Sequence, residues 1–286
     1  MSDTLTGLDI RPLSDSLGAE IRGVDLSQPL DDATAAAIRD AWHEHIVLLF
    51  RDQDLSEDDQ VAFAEKFGTV GTRSRPASRR PEGADYNASI MLVSNIKKEG
   101  EYIGSLPDGE MWFHHDMCYD PAPHKGTFLY AMELPSSGGN TLFANMYAAY
   151  DRLSDETKAR LKGLTALQIY DFATREVVDI SGDIAQYKHC VQPVTVTHPV
   201  TGRRALYVNP LITARIEDMP DDESRALLDE LFGFTDDKSL VYEHEWRLGD
   251  VLMWDNWCSC HARTDFPASD RRMLRRCTIK GQPLHE

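Results

Sequence analysis

The sequence predicts a mainly β protein with α-helical decoration, folded as a double-stranded β-helix, or jelly roll. Short runs rich in β-branched, aromatic and aliphatic residues recur along the chain, and turn residues separate them. Helical patterns are concentrated in the first part of the chain. Many short strands with helices outside them are typical of jelly rolls. No internal repeat, linker or low-complexity segment divides the 286 residues, so we expect a single domain over residues 1–286.

The first part of the chain alternates strands and helices. Residues 46–50 form a continuous apolar run, which predicts a buried strand. A helix is expected over residues 34–44, because the pair Asp31–Asp32 can cap it and apolar side chains recur at helical spacing. Ser56 can cap a second helix, which stops at Gly68. Two earlier strands are expected at 8–13 and 18–23.

The later elements follow the same rules. Asn145 and Ser154 are typical N-caps, and each predicts a short helix after it. Residues 199–202, Pro-Val-Thr-Gly, predict a hairpin turn, and residues 222–232 predict a helix. Further strands are expected at 90–94, 125–132, 166–170, 194–198, 204–208, 239–246, 249–254 and 271–279.

Residues 69–110 form a long segment with little periodic pattern. The segment includes a stretch rich in arginine and proline that begins at Arg73. Loops of this length in compact domains are often functional lids. Because the segment leads into the histidine-containing strand described below, we expect a substrate lid, with a surface insertion as the alternative.

Composition limits the classes of partner. The net charge of −17 argues against nucleic acid or an anionic membrane, since both reward a basic surface. No apolar run reaches the ~20 residues that cross a bilayer, and no secretory signal is evident. Five cysteines, an odd number without a regular spacing, are most simply reduced thiols. We therefore expect a cytoplasmic protein that binds a small molecule.

The segment Met111–Met117 carries the most informative side chains. Its large apolar residues predict a strand, and alternation along a strand would place His114 and Asp116 on one face, with His115 on the other. An imidazole and a carboxylate on one face are two ligands of a 2-His-1-carboxylate triad, which holds Fe(II) and leaves coordination positions open. His261, after the predicted strand at 249–254, is the candidate for the third ligand.

Two arginines follow His261 in a predicted strand. Arg272 and Arg276 are four residues apart, so their side chains would share a face, whereas Arg271 and Arg275 would lie on an exposed surface. One inward arginine could bind a dicarboxylate through two parallel hydrogen bonds, and the second could bind another anion nearby.

At these residues the chain resembles the TauD/TfdA family of Fe(II)/2-oxoglutarate-dependent dioxygenases, the taurine and 2,4-dichlorophenoxyacetate type. The family pattern is W-H-x-D, G-G-x-T-L, G-D-x-x-x-W-D-N, a distal histidine and two C-terminal arginines. The resemblance runs from about residue 8 to the end of the chain. The matching positions are Trp112 to Asp116, Gly138 to Leu142, Gly249 to Asn256, His261, Arg272 and Arg276. The chain departs from the pattern in one place, because Phe113 adds a residue between the tryptophan and the histidine.

The resemblance implies a role for each of these residues. His114, Asp116 and His261 would be the catalytic iron ligands, and Arg272 with Thr141 would bind the distal carboxylate of the co-substrate 2-oxoglutarate. The expected reaction uses O2, hydroxylates the substrate, with cleavage or desaturation as variants, and yields succinate and CO2. Relatives tend to be dimers or tetramers, so we expect a homo-oligomer.

The substrate is expected to be a small organic anion. By resemblance, Arg276 would lie beside its acidic group, which could be a carboxylate, as in an aryloxyalkanoate, or a sulfonate. Glu110 aligns with a position that faces the active site in relatives, and a solvated loop carboxylate is the equal alternative. Arg73 lies near a position that contacts substrate in taurine-type enzymes.

Three other interpretations remain open from the sequence. His114 and Asp116 could be a buried hydrogen-bonded pair in a non-catalytic jelly-roll protein that binds or senses a small acid. The same ligands could serve a metal hydrolase, which would need neither O2 nor 2-oxoglutarate. Cys258 and Cys260 beside His261 could suggest zinc, but no second cysteine pair follows at metal spacing.

Overall fold

A computed structural model of the protein describes residues 7–72, 86–106, 108–174 and 176–286. Within these residues a seven-stranded sheet and a four-stranded sheet form the centre of the fold. In spatial order, the larger sheet contains β1 (Asp9–Pro12), β2 (Ala19–Arg22), β3 (Val47–Phe50), β16 (Val251–Asp255), β8 (Gly126–Glu133), β18 (Met273–Ile279) and β4 (Met91–Ser94). In spatial order, the smaller sheet contains β15 (Val241–His244), β9 (Thr141–Asn145), β17 (Ser259–Arg263) and β7 (Met111–His114). Neighbouring strands are antiparallel except β2 and β3.

The central strands of the larger sheet are buried on both faces. Along β3, Val47 and Leu49 pack into a core cluster that also contains Phe143 of the smaller sheet. Leu48 and Phe50, which point the opposite way, pack into a second cluster with the helices. This two-sided burial explains why the run at 46–50 is apolar without interruption. The space between the two sheets is therefore the main core, and the site lies in it.

Five helices among the described residues surround the sheets. They are α1 (Asp32–His45), α2 (Glu57–Glu65), α3 (Met146–Arg152), α4 (Asp155–Leu161) and α5 (Asp221–Asp236). The predicted caps at Asp31, Ser56, Asn145 and Ser154 are confirmed, because each side chain accepts a hydrogen bond from a main-chain N–H in the first turn. No helix in the described parts of the chain has the length and apolar character needed to cross a membrane.

The remaining strands form smaller sheets. They are β5 (Lys97–Lys98), β6 (Glu101–Tyr102), β10 (Thr165–Tyr170), β11 (Lys188–Pro193), β12 (Thr195–Thr197), β13 (Arg204–Leu206) and β14 (Thr213–Ile216). The sequence did not predict β11. Its side chains are mostly exposed, so its main-chain pairing with β10 leaves no hydrophobic pattern to detect.

The segment expected to form a lid is partly built into the larger sheet. Its predicted strand is present as β4, which pairs with β18 along Met273–Arg276. The β5–β6 hairpin follows, and Ser105 returns to bridge Val93 of β4. Residues 73–85, which include Arg73, lie outside the described part of the chain.

Candidate active site

The two histidines of the predicted triad face each other across neighbouring strands. β17 pairs with β7, and His261 stands opposite His114 in the register. Their ring centroids are 4.1 Å apart. Residues 147 positions apart in the sequence therefore meet because the smaller sheet places their strands side by side.

Asp116 reaches the same point by a different route from the one predicted. β7 ends at His114, and Asp116 lies in the turn that follows, where Met117 takes a positive φ of 61°. Asp116 Oδ1 is 4.0 Å from His114 Nε2 and 3.9 Å from His261 Nε2. The three donor atoms lie within 4.8 Å of one another. The turn, and not strand alternation, brings the carboxylate to the histidines.

A β-bulge accommodates the extra residue before His114. Between the paired positions His261–His114 and Arg263–Met111, β7 advances three residues while β17 advances two. A bulge of this kind lets both ends of the irregular stretch point the same way. Met111 and His114 accordingly both line the cavity, and Trp112 is 54% exposed. The departure from the family pattern at Phe113 is absorbed locally.

The second oxygen of Asp116 is held by protein groups. Thr127 Oγ1 donates to Asp116 Oδ2 at 2.8 Å, and Arg276 Nη2 is 2.7 Å from the same oxygen. Burial alone would raise the pKa of Asp116, but the nearby Arg276 guanidinium and the two imidazoles outweigh it and lower that pKa. Oδ1 is thus left to face the histidines as part of a charged carboxylate.

Both imidazoles are suited to bind a cation. His114 Nδ1 is 2.9 Å from the carbonyl oxygen of Trp112, so Nδ1 is the protonated nitrogen. Nε2 then carries no proton, and its lone pair is available to a metal. Burial is the main cause that lowers the pKa of His114 and of His261, which favours the neutral imidazole that metals require. Two neutral imidazoles and one carboxylate fit a divalent transition metal with open coordination positions.

Arg272 is the second notable group in the site. Its side chain is 1% exposed, and Nη2 donates to the main-chain oxygen of Gly139 at 3.0 Å. No carboxylate among the described residues pairs with it, and its Nε is buried without a partner. Burial, with a contribution from the nearby charge of Arg263, lowers the pKa of Arg272 to about 9. A buried cation without a counter-charge is costly, so this position is suited to bind an anion from outside the chain.

The turn before β9 is shaped around Arg272. Gly139 has a φ of +66°, and a Cβ there would lie 2.9 Å from Arg272 Nε. Two residues later, Thr141 is buried and lines the same cavity as Arg272. The glycine pair of the motif therefore allows the guanidinium to lie beside the start of β9.

The three potential metal ligands and the two arginines line one cavity of about 1060 Å³. Its polar part contains the potential metal ligands His114, Asp116 and His261. Thr141, Arg272 and Arg276 also lie there. The apolar part includes Met111, Leu106 and the mutually packed rings of Tyr119, Tyr170 and Phe172. The cavity can hold a polar acid group and an apolar body together.

The structure does not bring every predicted residue to the site. Glu110 is exposed and does not line the cavity, since the bulge that turns Met111 inward leaves its neighbour outside. Cys260 points to the opposite side of β17 from His261, and its Sγ is 3.3 Å from His115 Nδ1. The buried His115 follows the end of β7, and its ring packs against Tyr207 and Cys260.

The expectation that Arg275 is exposed is wrong. Arg275 is 5% exposed, and its guanidinium lies over the ring of Tyr130, 4.8 Å from the centroid. Its Nη2 donates to the main-chain oxygens of Leu55 and Ser56. The two-sided burial of the larger sheet is the reason, because the face opposite Arg276 packs against α2. Arg271 is exposed and pairs with Glu133, as expected.

Sequence reasoning missed several residues that support the site. Thr127 on β8 contacts Asp116, and Trp246 Nε1 donates to Thr141 Oγ1 at 3.1 Å. Arg263, two residues after His261, donates to the main-chain oxygens of Leu106, Asp108 and Gly109. In the sequence, Arg263 and Trp246 are marked only by their proximity to a motif, to His261 and to Gly249-Asp250 respectively. Thr127 has no such signal.

The His-Asp-His cluster and the buried Arg272 are the arrangement that the resemblance to 2-oxoglutarate-dependent dioxygenases predicts. The chain matches the Taurine catabolism dioxygenase TauD, TfdA family over residues 9–278, and it belongs to that family. The enzyme class and the fold predicted from the sequence are confirmed, and the non-catalytic alternative is not favoured.

Two relatives and one solved structure illustrate the relationship. The pentalenolactone F synthase of Streptomyces avermitilis is 36% identical and covers 94% of this chain and 92% of that protein. The (S)-phenoxypropionate/alpha-ketoglutarate-dioxygenase of Sphingobium herbicidovorans is 32% identical and covers 97% of this chain and 96% of that protein. The crystal structure of AAD-2 in complex with Mn(II) and N-oxalylglycine has a TM-score of 0.77 at 31% identity, covering 96% of this chain and 98% of that one.

Proposed function

We propose that the protein is an Fe(II)- and 2-oxoglutarate-dependent dioxygenase that hydroxylates a small organic anion with an apolar body. The anion would be a carboxylate such as an aryloxyalkanoate, or a sulfonate, and hydroxylation could lead to ether or C–S cleavage. The observation that carries this proposal is the convergence of His114, Asp116 and His261 in the cavity that also contains Arg272, for which the described residues offer no carboxylate partner.

His114, Asp116 and His261 would hold the iron. When bound, the metal supplies the activation of O2 that no amino-acid side chain can provide. The chain's own contribution is to fix the ligands. Thr127 and Arg276 hold Asp116 Oδ2, which leaves Oδ1 directed at the histidines. Partners of this kind orient a ligand and are a general feature of metal sites.

Arg272 and Thr141 would bind the distal carboxylate of 2-oxoglutarate. A guanidinium presents a planar pair of donors that matches a carboxylate, and the bound anion would supply the counter-charge that Arg272 lacks. The fixed position of Arg272 against Gly139 and Phe266 limits how the co-substrate can lie. AAD-2, which was crystallised with Mn(II) and N-oxalylglycine, supports a co-substrate of this type.

Arg276 and the aromatic residues would bind the substrate. Arg276 lines the cavity, and its buried Nε has no partner within the described part of the chain, so it retains a donor for an acid group while it contacts Asp116. The rings of Tyr119, Tyr170 and Phe172 offer an apolar surface beside it. One relative is named for the aryloxyalkanoic acid (S)-phenoxypropionate, which supports a substrate of this shape.

Succinate formation from 2-oxoglutarate tests the proposal. The protein is supplied with Fe(II), O2 and a panel of aryloxyacetates, aryloxypropionates, aromatic and aliphatic carboxylates, aminosulfonates and alkyl sulfates. Turnover that requires both iron and 2-oxoglutarate supports the class and identifies the substrate type. If no compound is turned over, an anaerobic titration with Fe(II) and 2-oxoglutarate decides. A visible charge-transfer band retains the class, and its absence refutes the metal assignment.

We also propose a single catalytic domain, a homo-oligomer of two or four chains, and a cytoplasmic location. The five cysteines are all free in the structure, which supports a reducing compartment. Light scattering on the purified protein measures the oligomeric state, and a monomer would contradict that part of the proposal.

A further inference from the structure

Trp246 lies outside the cavity but touches one of its walls. Its indole Nε1 donates to Thr141 Oγ1 at 3.1 Å, and Trp246 does not line the cavity itself. An indole N–H can only donate, so the Thr141 oxygen must accept this bond. The hydroxyl proton of Thr141 is then free to be donated elsewhere. No acceptor for that proton is found among the described residues, and Thr141 is 4% exposed at the cavity wall.

The position of Trp246 is itself fixed by a buried polar chain. His244 packs edge-on against the indole, with ring centroids 4.7 Å apart, and it stands opposite Thr141 in the β15–β9 register. His244 Nε2 is 3.0 Å from Asp250 Oδ2. The same oxygen accepts from the main-chain N–H of Arg247 at 2.8 Å and pairs with Arg51 at 2.8 Å.

The protonation of His244 follows from its partners. The Asp250 carboxylate accepts, so Nε2 carries the proton, and Nδ1 accepts from Tyr242 Oη at 2.9 Å. Burial is the main cause that lowers the pKa of His244, which is consistent with a neutral ring. His244, Asp250 and Arg51 therefore form a rigid support behind Trp246 that includes the aspartate of the G-D motif.

We infer that Trp246, supported by His244 and Asp250, is a positioning residue for the co-substrate, because it orients the Thr141 hydroxyl toward the distal carboxylate of 2-oxoglutarate. The inference rests on the proposed function. An oriented hydroxyl in the cavity that Arg272 also lines gives the carboxylate a second directed donor, without the cost of ordering that hydroxyl when the ligand binds. The replacement Trp246→Phe keeps an aromatic ring on the side of His244 and removes the N–H together with the five-membered ring that carries it.

The test measures ligand binding and not turnover. Calorimetric titration with 2-oxoglutarate in the presence of Mn(II) compares wild type, Trp246→Phe, Thr141→Val and the double variant. Loss of one neutral hydrogen bond predicts a Kd about 3- to 10-fold higher for Trp246→Phe. Because Trp246 acts through Thr141, the double variant should bind no more weakly than Thr141→Val. Pyruvate, a 2-oxo acid without the distal carboxylate, should bind equally to all four proteins.

Other outcomes would overturn either the role of Trp246 or the proposed function. An unchanged Kd for Trp246→Phe, additive losses in the double variant, or equal losses for pyruvate and 2-oxoglutarate would refute the role of Trp246. If the wild-type protein with Mn(II) does not bind 2-oxoglutarate at all, the proposed function falls first. Thermal melting of each variant shows whether it is folded. Should Trp246→Phe be unfolded, Thr141→Ser supplies the second test: it keeps the oriented hydroxyl and must retain wild-type affinity.

Discussion

Replacing Arg272 with methionine should make the ligand-free protein more stable while it destroys co-substrate binding. The side chain is 1% exposed and lacks a carboxylate partner among the described residues. A fall of its pKa from 12.5 to about 9, caused by burial and by the nearby charge of Arg263, corresponds to a cost of about 5 kcal/mol for the charged guanidinium at ~1.4 kcal/mol per pKa unit. The guanidinium bears this cost while it stays protonated, since arginine does not lose its proton in proteins.

The variant also loses two contacts, and their loss offsets part of the stability gained by removing the buried charge. Arg272→Met loses the hydrogen bond to the Gly139 oxygen and the contact with the Phe266 ring, which together are worth about 3 kcal/mol. The net increase in the free energy of unfolding is about 2 kcal/mol. With an unfolding entropy of roughly 2 cal/mol/K per residue, the Tm of this 286-residue chain should rise by about 3 °C. Methionine keeps most of the aliphatic volume, so no large cavity is formed.

Binding should change in the opposite direction. Removing the partner of a buried carboxylate costs about 2–5 kcal/mol, so the Kd for 2-oxoglutarate with Mn(II) should rise by about 30- to 4,000-fold. Calorimetry measures the affinity, and thermal melting with and without ligand measures the stability. The wild-type protein should gain Tm when the ligand is added, and Arg272→Met should not.

A neighbouring arginine provides the control. Arg271 is exposed and pairs with Glu133 on the surface, so Arg271→Met should change neither the Tm nor the Kd appreciably. If Arg272→Met binds 2-oxoglutarate as well as wild type, the assignment of the anion site is wrong. If it melts well below wild type, Arg272 contributes to stability and the argument from burial cost fails.

Three further predictions concern other residues of the site. Arg276→Leu should raise the KM for the substrate far more than the KM for 2-oxoglutarate, because of these two small molecules only the substrate is expected to place its acid group against this guanidinium; equal effects in steady-state assays would contradict the assignment. Gly139→Ala should lower both the Tm and the affinity for 2-oxoglutarate, since a Cβ at 2.9 Å from Arg272 Nε displaces the guanidinium. Gly163→Ala is its control, because that glycine has a similar φ of +74° with open space around it, so it should lower the Tm alone. Burial, and secondarily Arg276, lowers the pKa of His124 to about 4. Unfolding frees this imidazole to bind a proton below its ordinary pKa of 6.5, so wild type should lose stability relative to His124→Gln as pH falls from 6.5 to 4, and parallel melting curves of the two proteins over that range would refute this.

The sequence by itself determined the five helices, several of the strands and the chemical character of the site. Helix caps such as Asp31 and Ser56 satisfy main-chain groups within a few residues, so local sequence is sufficient to predict them. Short-range patterns also predict the buried strand at 46–50, from its apolar run, and the candidate site residues His261 and Arg272, from their motifs. The dioxygenase class, which those motifs imply, is shared by the relatives.

Only the tertiary structure decided how the side chains are held. The pairing of β7 with β17 joins His114 to His261, and a bulge in that pairing turns Glu110 away from the cavity. The contact of Thr127 with Asp116 has no signal in the local sequence, and Trp246, which contacts Thr141, is marked only by its proximity to the G-D motif. The physical reason is that such contacts depend on strand register and on which face of a sheet is covered. Both are set by packing between residues that are far apart in the chain.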